Sequence, residues 1–304
     1  MDRFDLHILG CGSALPTRHH LPTAQILNVR DKLFMIDCGE GTQLQFRNTK
    51  LNYNKIYDIF ISHLHGDHCF GLIGLISTMA MLGRTAPLTI HAHQALEQLL
   101  KPQLAFYCKG LPYEIRFLSF NPAVSEVIYE DRSIQVTTLP LKHRMPTAGF
   151  LFREQPRDRH ILKDMIDFYK IPLKSIPGIK AGNDFTTVDG EIVRNDRLTL
   201  PATPSKSYAY CSDTAYCESV IPLIEGVDLL FHEATFSDSE IDRAKSTMHS
   251  TATQAASIAK QANVKKMIIG HYSARYINEI ELLKEAKLIF QNTILADEGM
   301  CVEI

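Results

Sequence analysis

The sequence predicts an α/β fold of two mixed sheets flanked by helices. Three observations predict it. Apolar runs of strand length follow one another near the amino terminus. Further along, such runs alternate with longer segments whose apolar residues recur at helical spacing. The chain has 304 residues, 45% apolar and 22% charged, a balance that supports a sizeable core and excludes a disordered chain. That length suggests about two domains, although one α/β or sandwich domain also reaches it.

The elements follow in order. Residues 6–9, 25–29, 33–37 and 57–62 read as strands, and 71–82 as a helix. Residues 88–91 form the next strand and 95–107 the next helix. Residues 127–129 and 134–139 flank Glu130-Asp131-Arg132-Ser133, a hairpin pattern. Residues 207–212, 228–231 and 266–269 are later strands, and 251–262 and 277–290 later helices. Thr251 and Gln254 have capping-box spacing at the start of the first of these helices.

One segment interrupts the pattern. Residues 153–197 are rich in charge and poor in strand character, with a short helix expected at 164–169. Residues 170–182 carry Lys170, Lys174 and Lys180, two prolines, two glycines and no acid. They read as an exposed basic loop or arm inserted into a single domain spanning 1–304. A solvated surface loop is the plainer reading of the same composition.

Charge and cysteines narrow the function classes. With 32 basic and 34 acidic side chains the formal net charge is −2. Nucleic-acid binding therefore requires a local patch or a metal site. The opening Met1-Asp2-Arg3-Phe4-Asp5-Leu6-His7 has no basic stretch leading into an apolar one, so no secretory signal is expected. No apolar run approaches the ~18 residues that span a bilayer, so no membrane partner is expected. Seven cysteines without a Cys-x-x-Cys pair suggest reduced thiols in a cytoplasmic protein and leave no zinc ribbon.

The strongest signal is His63-Leu64-His65-Gly66-Asp67-His68, directly after the strand at 57–62. Imidazole nitrogens and carboxylate oxygens suit Zn²⁺. A sharp turn leaving a strand can aim His63 and His65 at one ion and Asp67 and His68 at a second. His143, Asp213 and His271 each follow another apolar strand, where α/β folds place their sites. Asp213 can bridge, giving one oxygen to each ion of a pair about 3.5–4 Å apart. A histidine at position 65, rather than an acid, favours zinc over iron. His249 paired with Glu233 can donate a proton to a leaving group; a helix-capping role for His249 is equally compatible with the spacing. His232 has an orienting role as its alternative.

With these residues the sequence resembles the metallo-β-lactamase superfamily. The segments Gly10-Cys-Gly-Ser-Ala-Leu-Pro-Thr17, Asp37-Cys-Gly-Glu-Gly-Thr-Gln43, His232-Glu-Ala-Thr235, His249-Ser-Thr251 and His271-Tyr-Ser-Ala-Arg-Tyr276 resemble its short-form tRNase Z family over nearly the whole chain. The resemblance implies an αβ/βα sandwich and two zinc ions per subunit. It implies removal of the 3′ trailer from precursor tRNA, leaving a 3′-hydroxyl on the tRNA and a 5′-phosphate on the trailer. His63, His65 and His143 would hold one zinc, Asp67, His68 and His271 the other, and Asp213 would bridge. Asp67 would also accept a proton, and His249, supported by Glu233, would protonate the leaving oxygen. The insert at 153–197 would be a flexible arm gripping the tRNA body, with phosphate contacts from Lys170, Lys174, Lys180 and from Arg275 near the metals. A homodimer is implied, one subunit's arm serving the other's site. Two departures lie away from the ligands: Gly71-Leu72-Ile73-Gly74-Leu75 replaces Gly-Leu-Pro-Gly-Leu, and Cys11 stands where threonine is common.

Two other readings compete. Another dinuclear-metal hydrolase on this scaffold would act on small phosphodiesters, sulfate esters or thioesters and would not need the arm. A non-catalytic RNA-binding protein would be expected to have lost some of the ligands.

Overall fold

A computed structural model describes residues 3–304; the first two residues of the domain expected over 1–304 lie outside it. The chain divides into two compact units, Met1–Arg153 with Ser207–Ile304, and Glu154–Lys206.

The larger unit contains two seven-stranded mixed sheets. Strands β1 (Phe4–Gly10), β2 (Ala24–Val29), β3 (Lys32–Ile36), β4 (Ile56–Phe60), β5 (Leu88–Ala92) and β6 (Ile115–Ser119) belong to the first. Helices α1 (Thr42–Asn48), α2 (Gly66–Cys69), α3 (Leu72–Met81) and α4 (Ala95–Tyr107) lie between them in sequence. The second sheet begins with β7 (Val127–Glu130), β8 (Ile134–Pro140) and β9 (Ala148–Glu154).

The smaller unit has its own elements: β10 (His160–Ile161), α5 (Lys163–Phe168), α6 (Ile176–Lys180), β11 (Phe185–Thr186), β12 (Ile192–Val193), α7 (Asn195–Leu198) and β13 (Thr199–Leu200). The larger unit then resumes with β14 (Ser207–Cys211), β15 (Leu229–Glu233), α8 (Ile241–Thr247), α9 (Ala252–Gln261), β16 (Lys266–Gly270), α10 (Ile280–Ile289), β17 (Thr293–Leu295) and β18 (Cys301–Glu303). The sheet orders are β18-β1-β2-β3-β4-β5-β6 and β17-β16-β15-β14-β9-β8-β7. Strands β3 to β6 run parallel, as do β14 to β17.

Alternation along the strands explains the layers. Leu6, Ile8, Phe34, Ile36 and Phe60 point into one core with Phe150, Phe152, Tyr208 and Tyr210 of the other sheet. Leu9, Leu33, Met35 and Ile59 point into a second core with Leu72, Leu75 and Ile76 of α3. A sheet buried on both faces needs apolar residues of both parities, and these strands have them. Aromatic rings join the sheets, with Phe60 and Phe150 centroids 5.6 Å apart and Phe34 and Phe152 6.0 Å apart. Helix α9 starts with the expected capping box between Thr251 and Gln254.

The insert departs from the expected loop. Ile171, Ile179, Phe185, Val193 and Leu198 form a small core of its own. Residues expected to be an exposed basic loop or arm form a 3-10 turn at Leu173–Ser175 running into α6. Pro177 occupies the first turn of α6, where a missing amide costs nothing, and Ile176 and Ile179 share a helical face. The compact unit ends at Lys206 rather than near 197, because Thr199 and Leu200 pair with Ile161 and His160. Asn195 fastens it, donating to the carbonyls of Ile179 at 2.6 Å and Asn183 at 2.8 Å.

Candidate metal centre

Loops leaving the strand ends build the site. The chain leaves β4 through Ile61, Ser62 and His63 and turns into α2, which carries Asp67 and His68. Close packing fixes this turn. A Cβ on Gly71 would lie 2.0 Å from the Gly39 carbonyl oxygen, so only glycine fits where the turn crosses the loop after β3. His143 follows β8, Asp213 follows β14, Glu233 ends β15 and His271 follows β16. His271 (φ 63°), Asp37 (φ 56°), Met248 (φ 59°) and Ala14 (φ 53°) all hold left-handed backbone, strain that clusters around this site.

Two donor sets face the two oxygens of one carboxylate. Asp213 Oδ2 lies 3.5 Å from His63 Nε2 and 3.7 Å from His143 Nε2. His65 Nδ1 completes that set, 2.9 Å from His63 Nε2 and 3.2 Å from His143 Nε2. Asp213 Oδ1 lies 3.1 Å from His271 Nε2 and 3.3 Å from His68 Nε2. Asp67 Oδ2 completes the second set, 3.4 Å from His271 Nε2 and 3.6 Å from His68 Nε2. Tetrahedral zinc with bonds of about 2.0–2.1 Å separates its ligand atoms by about 3.3 Å.

The donors fit a divalent cation on three further grounds. Among the described residues, His68 Nε2, Asp213 Oδ1 and His271 Nε2 are buried polar atoms without a hydrogen-bond partner, and such groups are costly unless something absent satisfies them. Burial, followed by neighbouring histidines, pushes the His63 imidazole well below its ordinary range, and burial lowers His65 and His143 too. Their lone pairs are therefore available. Burial alone would lower His68 as well, but Asp213, Asp37 and Asp67 together raise it well above normal. Buried negative charge here calls for a cation.

Hydrogen bonds orient the rings. His68 Nδ1 donates to Asp37 at 2.7 Å, His143 Nδ1 to the Met248 carbonyl at 2.9 Å, and His271 Nδ1 to Thr235 Oγ1 at 2.9 Å. This leaves Nε2 of each ring facing the donor set. Asp37 also accepts from Ser62 and, at 2.6 Å, from the Tyr210 hydroxyl of the opposite sheet. In the sequence Asp37 carries one local signal, a carboxylate at the end of an apolar strand.

Glu233 is fully buried and accepts from Thr214, Ser250 and Thr235 amides, from the Thr235 hydroxyl, and from His249 Nδ1 at 2.8 Å. Burial opposes the charged form of His249, but Glu233 outweighs it and holds the imidazole up at about 9. His232 turns away, its Nδ1 bonded at 2.7 Å to the Glu233 carbonyl. A cleft of about 650 Å³ exposes His65, Asp67, His143, Asp213, His249 and His271.

The cations fall differently from expectation. Arg275 is held by Glu240 at 2.6 Å and does not line the cleft. Arg144, not among the residues expected from sequence, does line it, its guanidinium 2.6 Å from the Ser246 carbonyl. Its one sequence signal is that it follows His143. Lys170 and Lys174 are exposed in the smaller unit, and Lys180 lies 3.9 Å from Asp158.

Two sheets presenting paired donor sets, with one carboxylate shared between them, define a divalent-metal hydrolase of the metallo-β-lactamase fold. Residues 179–272 match the beta-lactamase superfamily domain, and residues 4–155 match the family described as Anti-Pycsar protein Apyc1. By its full-length relatives the chain belongs to the ribonuclease Z family. The protein called Ribonuclease Z in Bacteroides fragilis is 56% identical over 304 residues, covering all of both chains. Its counterpart in Phocaeicola vulgatus is 58% identical, covering all of this chain and 98% of the other. Among solved structures, human tRNase Z, short form, superposes with a TM-score of 0.70 at 24% identity over 98% of each chain. The Bacillus subtilis metallo-beta-lactamase fold protein YhfI gives 0.71 at 19% identity over all of both chains. These two likenesses concern the fold. Among the described residues, no helix is long and apolar enough to cross a membrane.

Proposed function

We infer that this chain is the endoribonuclease that removes the 3′ trailer from precursor tRNA, leaving a 3′-hydroxyl on the tRNA and a 5′-phosphate on the trailer. The observation that carries this reading is the His249–Glu233 pair, 2.8 Å apart, in the cleft that the two donor sets share, in a chain whose full-length relatives are called Ribonuclease Z. His63, His65 and His143 would hold one zinc, Asp67, His68 and His271 the other, with Asp213 between them. When bound, the pair supplies Lewis acidity that activates a water and offsets charge on the phosphoryl group.

The chain's own groups manage the protons. Burial would raise the Asp67 carboxyl, but His68 and His271 hold it far below the carboxylate range. It stays ionised, oriented by the Ala14 amide at 2.7 Å, and takes a hydrogen bond from the attacking water. That proton leaves through Asp67 to solvent in the open cleft, and solvent later reprotonates His249. The water oxygen bonds to phosphorus as the bond to O3′ breaks, and His249 gives O3′ its proton. Glu233 keeps His249 charged until then.

Substrate grip is assigned to the Glu154–Lys206 unit. This unit has nine basic and eight acidic side chains, yet no acid lies between Asp167 and Asp184. Lys170, Lys174 and Lys180 thus form a local basic segment suited to phosphates. Arg144 contacts phosphate within the cleft. A cytoplasmic homodimer, each arm serving the partner's site, completes the reading.

The test is to incubate zinc-loaded protein with a trailer-bearing precursor tRNA and sequence the product ends. A single cut after the discriminator base, lost on chelation and lost in Asp67→Ala with the fold intact, is expected. No cut, with a small phosphodiester still hydrolysed, would assign the site to small substrates instead.

A further inference from the structure

Phe70 is an exposed aromatic ring that the metal chemistry leaves unused. Its amide donates to the Gly66 carbonyl at 2.8 Å, closing the single turn of α2. Side chains on such a turn lean back toward its amino-terminal end. The ring consequently lies against Gly66, where a Cβ would come within 2.3 Å of Phe70 Cε2. Gly66 stands between His65 and Asp67, one from each donor set. The ring is thus seated on the backbone of the metal motif while 71% exposed. Exposed aromatics are ordinary, and Phe106 (76%) and Phe168 (73%) are examples. Phe70 differs because it lines the same cleft as Asp67 and His249, which those two do not.

We propose that Phe70 is the stacking surface for the nucleobase on one side of the scissile phosphate, an inference that rests on the tRNA-trailer reading above. An unpaired RNA 3′ end offers bases free of a helix, and every base has a π-face, so an aromatic shelf holds it without reading sequence. Stacking there fixes where along the strand the phosphate meets the donor sets.

The experiment compares wild type with Phe70→Ala and Phe70→Tyr on intact precursor tRNA and on two precursors, each with one abasic nucleotide flanking the scissile phosphate. Phe70→Ala is expected to raise KM on the order of tenfold or more, with kcat much less affected and metal content and melting temperature unchanged. Phe70→Tyr restores KM. One of the two abasic precursors raises the wild-type KM by a similar factor and adds nothing further in Phe70→Ala. Abasic penalties equal in both proteins, an unchanged KM in Phe70→Ala, or a dimer lost with RNA binding intact would overturn the proposal. Failure of wild type to cut intact precursor would overturn the functional reading itself, and this inference with it.

Discussion

Replacing Glu233 with glutamine removes a charge and nearly preserves shape. With the carboxylate in place His249 is held at about 9 against an ordinary 6.5. At about 1.4 kcal/mol per pKa unit, this is a preference on the order of 3 kcal/mol for the protonated ring. Protonated His249 is the donor, so cleavage persists below its pKa and is lost as pH rises through it. Glutamine keeps an oxygen for Nδ1 but not the charge, and burial then pulls the ring down. The alkaline limb of the rate profile should fall by about two pH units. Cations held by the neighbouring donor sets would lower His249 in both proteins, so the difference between them is the quantity to read. The assay is single-turnover cleavage of a trailer-bearing precursor tRNA from about pH 6 to about pH 10, with metal content and melting temperature measured alongside. Some loss of stability, roughly 1–3 kcal/mol, is expected because the glutamine amide must face an N–H donor that now meets an oxygen. An unmoved alkaline limb in a folded, fully metallated Glu233→Gln protein would refute the donor assignment.

Other outcomes follow from the same geometry. Asp213→Ala removes the oxygens shared by both donor sets, so elemental analysis should find fewer than two metals per chain and cleavage should drop at least about 100-fold. Replacing Lys170, Lys174 and Lys180 together with alanine should raise KM for precursor tRNA and flatten the dependence of log KM on log salt by roughly two to three, while kcat holds. Arg144→Ala should raise KM and reduce that slope by about one. Arg275→Ala should change KM by less than about threefold, because Glu240 already neutralises the guanidinium.

Elements set by local pattern were legible from sequence alone. The hairpin at β7 and β8, helix α4 and the capped helix α9 all rest on contacts within a few residues. Strand β9 lies outside the strands expected from sequence although Phe150, Leu151 and Phe152 are apolar; Gly149, of a type common in turns, precedes them. The structure gives that glycine another purpose: its Cβ would lie 2.3 Å from the Tyr210 carbonyl oxygen of the neighbouring strand. Strand β6 was missed because it is a sheet edge with mostly exposed side chains, so its alternation is weak. The candidate metal donors could be picked out because each follows an apolar run. Asp37 ends an apolar run too, but its orienting role is hidden because its partners Ser62, His68 and Tyr210 are distant in sequence. The ion pair of Arg275 is invisible in sequence for a related reason, its partner Glu240 lying 35 residues away. The tip at 170–182 reads as an exposed loop or arm because Lys, Pro and Gly dominate it and hide Ile171 and Ile179, which join Phe185, Val193 and Leu198 in a core.

The order in which the donors occur along the chain has a consequence for biosynthesis. Asp67 and His68 belong to the first sheet's half, but His271, their companion, comes after β16, and the edge of that first sheet is closed by β18 pairing with β1. A polypeptide interrupted anywhere before His271 lacks one complete donor set. On the proposed ligand set, a fragment released early by the ribosome, or clipped from its carboxyl end by a protease, would be an inert nuclease rather than an unregulated one. The same ligand set would withhold cutting until the segment carrying His271 has been made.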